Sequence, residues 1–324
     1  MRRPGIEAAA GSERGFALIA VLLVLAFVAV IGAEFAYSMR LEATAARVYK
    51  ETLIAGHLAE AGLEQAIREL VAEFAFVGLG DNRQAEAEAD CPLAFYSRER
   101  LVIKRLPHRN VPLGAGQFSY CISDEEARFN LNTATADRLG RLLEGTGLEK
   151  QERDAIIDAL QDWRDPNEEH RLNGAESEDT YLKLPVPYRS KNANLDSLAE
   201  LTQLKGVTSK LLDGEDGRPG LNSLVTVKTP GQINLNTARR EVLRALNISD
   251  AELNEIEQQR RLGPYATVPP RFAGRGLTVT SRTFRIEAQG LVDGQVRARL
   301  TAIVQKGSDA NSEGVAVLEW SGVR

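Results

Sequence analysis

A chain of 324 residues that is 43% apolar and 26% charged has the make-up of a folded globular protein, long enough for two domains and an extra helix. Its formal net charge of −5 runs against a protein built to grip nucleic acid, which needs a basic excess. With three histidines and two cysteines, none in a His-x-x-x-His or Cys-x-x-Cys pattern, nothing supports a zinc site.

Residues 1–15 form a leader in which Arg2, Arg3 and Arg14 stand against Glu7 and Glu13. Basic residues in such a position favour retention on the cytoplasmic side of a membrane. Residues 16–33 contain neither charge nor proline, and Glu34 is the first acid after them. Eighteen residues make about 27 Å of helix, enough to cross or enter a bilayer core. The helical period continues through Leu41, Ala45, Val48, Thr52, Ala55, Ala59, Gly62, Ala66 and Leu70, so one helix is expected to run to about Phe76. A secretory signal peptide would need a small-residue cleavage site, which Gly32-Ala33 and Ser38 offer. Glu34 and the unbroken period argue against that reading. A plain signal anchor is the simplest alternative.

Beyond the helix, residues 78–92 are rich in breakers, with Gly80-Asp81-Asn82 reading as a turn. Residues 101–106 and 117–122 read as strands separated by Pro107, Asn110, Pro112 and Gly114. Residues 124–221 read as helical, with helices expected over 136–143, 150–163 and 195–204. Strands return at 277–279, 283–289 and 296–305, the last two joined by a hairpin turn at Val292-Asp293-Gly294, and 315–320 adds a final edge strand. Strands at both ends with helices between them predict a sheet domain interrupted by a helical insertion. Within the middle, Phe129-Asn130-Leu131-Asn132-Thr133-Ala134 is echoed by Ile233-Asn234-Leu235-Asn236-Thr237-Ala238. Asn and Thr ahead of a helix read as N-caps.

There is no Gly-x-Ser-x-Gly elbow and no Walker loop, and His170 has no evident nucleophile, so the chain reads as a protein that is not an enzyme. Cys91 and Cys121 would be disulfide-bonded if the body is exported to an oxidising compartment. The bond would close a loop of roughly 30 residues and contribute roughly 3 kcal/mol. Two free thiols are the alternative. The densest polar cluster holds Asp158, Asp162, Asp165, Asn167, Glu168, Glu169, Glu176, Glu178 and Asp179, with a bend at Gly174. Crowded carboxylate and amide oxygens suit a hard cation such as calcium, and equally a solvated acidic loop.

A basic leader, Gly15, Phe16, an apolar helix and its unbroken amphipathic extension resemble the class III leader of type IV pilins and type II secretion pseudopilins. That resemblance implies cleavage by a prepilin peptidase after Gly15 and methylation of Phe16. The fifth residue after the cut, usually Glu, is Ala20, a departure characteristic of the K-type minor pseudopilin of type II secretion. Asp124-Glu125-Glu126 through Asn130-Leu131-Asn132-Thr133-Ala134 is similar to the start of the K-type helical domain. Asp162-Trp163-Arg164-Asp165, Gly174-Ala175-Glu176 and Asp179-Thr180-Tyr181 are similar to its next signature, and Gln232 to Leu246 to its return. The resemblance spans nearly the whole chain in order. It implies an α+β fold in which a long N-terminal helix packs on an antiparallel sheet with a large helical insertion domain. The expected divisions are a leader (1–15), the transmembrane pilin helix (16–76), two parts of a pilin-like domain (77–123 and 225–324) and the insertion (124–224). It also implies a subunit that caps the tip of a periplasmic pseudopilus, starts its assembly with I- and J-type minor pseudopilins, and joins the major pseudopilin. Such a subunit is anchored once in the bacterial inner membrane with its body in the periplasm, near secreted protein substrates. Calcium is implied in the insertion, where Asp165, Asn167, Glu176 and Asp179 match.

Two rivals remain. Asn194 to Val207, with its Gly206 turn, also resembles a helix-hairpin-helix of DNA-uptake proteins. Such hairpins need flanking Lys or Arg for phosphates, whereas here Asp196, Glu200, Asp213, Glu215 and Asp216 surround the turn, so no nucleic acid is expected. A minor pilin of a type IV pilus is the other.

Overall fold

The computed structural model describes residues 13–80, 91–215, 217–307 and 314–323, with side chains from Phe16 onward. Most of the expected leader, residues 1–12, and the turn residues Asp81 and Asn82 lie outside the described residues. The chain divides into two compact units, Met1–Ile54 and Ala55–Arg324.

Helix α1 (Glu13–Val71) belongs to both. In the first unit every described side chain from residue 16 to residue 50 is exposed. In the second unit the helix is amphipathic: Ala55, Leu58, Ala59, Leu63, Ala66 and Leu70 are buried at helical spacing. They face an antiparallel sheet, and small residues set the approach. A Cβ on Gly62 would stand 3.3 Å from the Phe118 ring, and one on Gly290 would collide with the Ala55 carbonyl. Glu69, near the helix end, accepts from the Arg105 guanidinium, the Leu106 amide and the Tyr120 hydroxyl, all at 3.0–3.1 Å.

The helix stops at Val71, five residues before the expected end. The aromatic run that follows is taken up by tertiary pairing instead. Phe74 packs on Phe95 and Phe284, with ring centroids 4.8 and 5.9 Å apart. Strand β1 (Phe76–Leu79) pairs antiparallel with β2 (Leu93–Tyr96), which the sequence reading missed. Strand β3 (Val102–Ile103) completes this sheet and is far shorter than the strand expected over 101–106.

The larger sheet has five antiparallel strands in the order β12-β11-β10-β5-β4. These are β4 (Val111–Leu113), β5 (Gly116–Asp124), β10 (Thr283–Val292), β11 (Gln295–Lys306) and β12 (Val315–Val323). Phe118, Tyr120 and Ile122 alternate inward along β5, as do Phe284, Ile286 and Ala288 along β10. Ile286 lies opposite Ile122 on one side and Ala302 on the other. Asp293 and Gly294 close the expected hairpin, both at positive φ (53° and 73°). Cys91, just ahead of β2, is disulfide-bonded to Cys121 of β5, with Cα atoms 5.4 Å apart.

Between β5 and β10 lies the helical body. Its helices are α2 (Ala136–Glu144), α3 (Lys150–Arg164), α4 (Ser209–Asp213), α5 (Leu221–Leu224), α6 (Arg240–Ala245) and α7 (Asp250–Leu262). Where a helix was expected over 195–204, a single six-residue 3-10 segment forms at Leu198–Gln203. Its Ser197/Glu200 capping box starts a helix, and the positive φ of Gly206 (84°) turns the chain away. One apolar core runs from Phe129 through Trp163, Leu224 and Ile256 to Val279. The body therefore reaches well past residue 224, where the sequence placed its end, because the second Asn repeat and its helices pack on the first.

Candidate functional site

Gly15 and Phe16, the expected processing pair, both lie in α1. Phe16 is 77% exposed, and Leu18, Ile19, Leu23, Phe27 and Phe35 after it are similarly bare. An uncovered apolar helix in water loses roughly 1.5–3 kcal/mol for each large side chain that could otherwise be buried. This is the one helix among the described residues long and apolar enough to cross a membrane. With Ala at position 20, residues 16–33 of this helix carry no charge.

The acidic loop is folded rather than loosely solvated, because its carboxylates accept from their own backbone. Asp162, fully buried at the end of α3, takes the amides of Arg171 and Ala175 and the Arg171 guanidinium at 2.7 Å. A Cβ on Gly174 would collide with that carboxylate. Asp158 takes the amide and side chain of Asn173.

The four expected calcium positions hydrogen-bond to groups of the protein itself, in two pairs. Asp165 accepts from Arg171 at 2.6 Å and from Asn167 at 2.9 Å, and the Asn167 oxygen accepts from the Glu169 amide. Asp179 accepts from the Glu176 amide and lies 3.2 Å from the His170 ring. Slight burial pushes the Asp179 carboxyl up, but the Glu176 amide, Thr180 and His170 outweigh it and hold it below the ordinary range. Glu176 behaves oppositely. Its Oε2 accepts from Ser190, its buried Oε1 has no partner, and burial, with Asp162, Glu168 and Asp165 nearby, raises its pKa. Among the described residues, no three His, Cys, Asp or Glu side chains converge as a metal cage. Arg171 supplies the positive charge beside Asp162 and Asp165.

The asparagines of the repeat are not helix caps. The N-cap positions fall on Thr135 and Arg239. Instead each repeat builds the same bracket. Asn130 and Asn234 accept from the amides two residues on, at 2.7 and 2.9 Å. Asn132 binds the Leu195 amide and carbonyl and the Val227 carbonyl, and Asn236 binds the Tyr265 amide and carbonyl and the Val279 carbonyl. Arg164 from α3 reaches the Leu131 carbonyl, and Arg260 from α7 reaches the Leu235 carbonyl. Two short parallel ladders follow suit. Strand β6 (Phe129–Asn130) pairs with β7 (Val225–Thr226), and β8 (Ile233–Asn234) with β9 (Leu277–Thr278). The body is thus two copies of one unit, and the acidic loop is a long insertion in the first copy.

Asp124, Glu125 and Glu126 join this body to the sheet. Asp124 is buried and accepts from Asn234, Thr237, Ser281 and the Glu126 amide. Burial pushes its carboxyl up to about 6, against the pull of Thr237 and Ser281. Glu125 is paired with Arg285 at 2.9 Å, and Glu126 accepts from the Arg282 and Thr283 amides. The sequence reading assigned these three no role beyond family likeness. Three acids closing a strand rich in buried aromatics were the available signal.

A long N-terminal helix, an antiparallel sheet and an inserted helical body define a pilin-like α+β protein. Residues 126–214 match the family model for protein K of the type II secretion system (T2SS). Type II secretion system protein K of Pectobacterium carotovorum subsp. carotovorum is 31% identical over 120 residues, covering 32% of this chain and 36% of that one. Its counterpart from Klebsiella pneumoniae is 27% identical over 221 residues, 61% of this chain and 60% of the relative. The match therefore spans less than two thirds of either relative. In the fold comparison, a chain of the GspK–GspI–GspJ complex from the enterotoxigenic Escherichia coli type 2 secretion system matches with a TM-score of 0.62 at 20% identity. It covers 86% of this chain and 98% of that chain.

Proposed function

We propose that this protein is a minor pseudopilin of a type II secretion system, placed at the tip of the pseudopilus, where it starts assembly with I- and J-type minor pseudopilins. The observation that carries this is the bare apolar helix from Phe16 onward, in a chain whose helical body matches protein K. Such a surface is stable only in lipid or against neighbouring helices. The proposed location is the bacterial inner membrane, crossed once, with the body in the periplasm. The role is structural, with no catalytic chemistry assigned. Prepilin peptidase is the proposed processing partner, and the major pseudopilin and secreted proteins are the proposed neighbours.

Ala20 fits the tip on physical grounds. A Glu at that position in an apolar helix needs a cationic partner, such as the free amine of a subunit added earlier. The first subunit has no earlier neighbour, so Ala20 removes an unpaired charge. Mass spectrometry of the protein purified from membranes is expected to show an N-terminus at methylated Phe16. A start near Ala33 or Ser38 would instead establish an ordinary signal peptide and end this reading. Immunogold labelling is expected at one end of the fibre, and labelling along its whole length would remove the tip assignment.

Calcium remains part of this proposal. The partnerless Oε1 of buried Glu176 is the donor that fits a cation. Asp165, Asn167 and Asp179 would join it only if Arg171 and His170 release their carboxylates. Calorimetry with calcium chloride is expected to show saturable binding that Glu176→Gln removes, and no heat above dilution would exclude the site. No nucleic-acid role is proposed, since acids surround Gly206. Duplex DNA is expected to show no mobility shift at moderate salt, and a salt-sensitive shift lost in Lys205→Glu would overturn that.

A further inference from the structure

The second unit contains a cleft of about 930 Å³ that the proposed role does not use. It opens between the small sheet, the end of β5 and the second copy of the helical repeat. One wall is apolar, with Leu79, Tyr96 and Val102 from β1, β2 and β3; Leu79 and Val102 are 39% and 55% exposed. The helical repeat contributes cations to the lining, Arg239, Arg260 and Arg261, and Arg128 and Arg100 line it too.

The charges on these walls are poorly balanced. Among the described residues, six arginines and four carboxylates line the cleft, and two of the carboxylates are already committed. Asp124 is enclosed by its four donors, and Glu257 is paired with Arg240 at 2.8 Å. Glu241 and Glu287 are the other two acids among the described lining residues. Arg260 lies largely inside the protein, yet its hydrogen bonds go to the Leu235 carbonyl and not to a carboxylate. Burial pulls its pKa down to about 10. Arg128 is lowered by burial first, against its Glu125 partner, and then by the neighbouring charges of Arg285 and Arg239. A partly desolvated cation without a counter-ion is costly, and an arriving anion relieves it.

We propose that this cleft is a docking site for an acidic peptide segment of a partner protein, its carboxylates meeting Arg239, Arg260 and Arg261 and its apolar side chains lying on Leu79, Tyr96 and Val102. The volume is at the upper end for a small-molecule pocket, and the two-faced lining matches a chain that alternates acidic and apolar side chains. A free inorganic anion would leave the apolar wall bare.

The test uses the full chain in detergent micelles and fluorescence polarisation with a labelled eight-residue peptide alternating Glu and Leu. A peptide of identical length with Gln for Glu is the comparison. The acidic peptide is expected to bind saturably, with the Gln peptide weaker by about tenfold or more. The double variant Arg239→Glu/Arg261→Glu, whose side chains make no hydrogen bond or ion pair within the described residues, is expected to lose binding by a similar factor without a change in thermal midpoint. Arg109→Glu, an exposed charge that does not line the cleft, is expected to bind like the parent. No binding of the acidic peptide, equal binding of both peptides, or unaltered binding in the double variant would each overturn the proposal. So would equal displacement of the peptide by inorganic phosphate at the peptide's own concentration.

Discussion

At the residue scale, the carboxylate most out of place is Asp124, buried among neutral donors with its pKa pushed up to about 6. In the unfolded chain an aspartate titrates near 3.9. Below that pH both states hold the proton, and the group costs nothing. Between about 4 and 6 the unfolded state releases its proton while the folded state keeps it, so stability is lost as pH rises, and above 6 the loss is complete. A rise of that size corresponds to about 3 kcal/mol. Relative to Asp124→Asn, the parent protein is therefore expected to lose about 3 kcal/mol between pH 4 and pH 7. Urea titrations at both pH values measure this, and parallel pH profiles for the two proteins would show that Asp124 is ionised throughout.

At the scale of elements, the paired Asn brackets explain how a body with short helices and little regular sheet holds its loops. Asn236 is buried and makes three hydrogen bonds to backbone groups of residues 265 and 279. Removing it strands those groups, at roughly 1–3 kcal/mol for each one left unsatisfied. Asn236→Ala is expected to destabilise the protein by about 3 kcal/mol or more, read from the denaturation midpoint. Asn236→Asp keeps only the acceptor and sets a charge against two carbonyls, so it is expected to be no better than alanine. A loss under about 1 kcal/mol in both would mean water replaces the bracket. The disulfide is a second clasp, joining residues 30 apart in sequence. Cys91→Ala/Cys121→Ala is expected to cost about 3 kcal/mol, by restoring loop entropy to the unfolded chain. An unchanged midpoint under reductant would argue against it.

At the scale of the whole molecule, the two units differ in what they need. The first is an apolar helix with no cover of its own. The second, Ala55–Arg324, carries the sheet, the helical body and the buried face of α1. A chain beginning at Ala55 is therefore expected to be soluble without detergent and to unfold cooperatively by circular dichroism, whereas the full chain requires detergent. Aggregation of the shortened chain, or a broad non-cooperative melt, would show that the second unit depends on the first.

The apolar period of residues 16–70, the Asp-Gly hairpin and the alternation along β5, β10 and β11 were legible because each depends on neighbours in sequence. So were the two strongest helices of the body, whose periodicity runs over two turns or more. The α+β order followed from where those signals fell. What tertiary structure alone decided is the rest. Helix α1 ends at Val71 because Phe74 and β1 find partners well outside a helical turn, in β2 and β10. The Asn repeats looked like caps because their distant loop partners leave no mark in the local sequence. The acidic residues were legible as a cluster, but only the packed chain sets Arg171 against Asp162 and Asp165, the second an expected calcium position. The cationic cleft draws its arginines and apolar residues from segments more than a hundred residues apart, a proximity that only the packed chain creates.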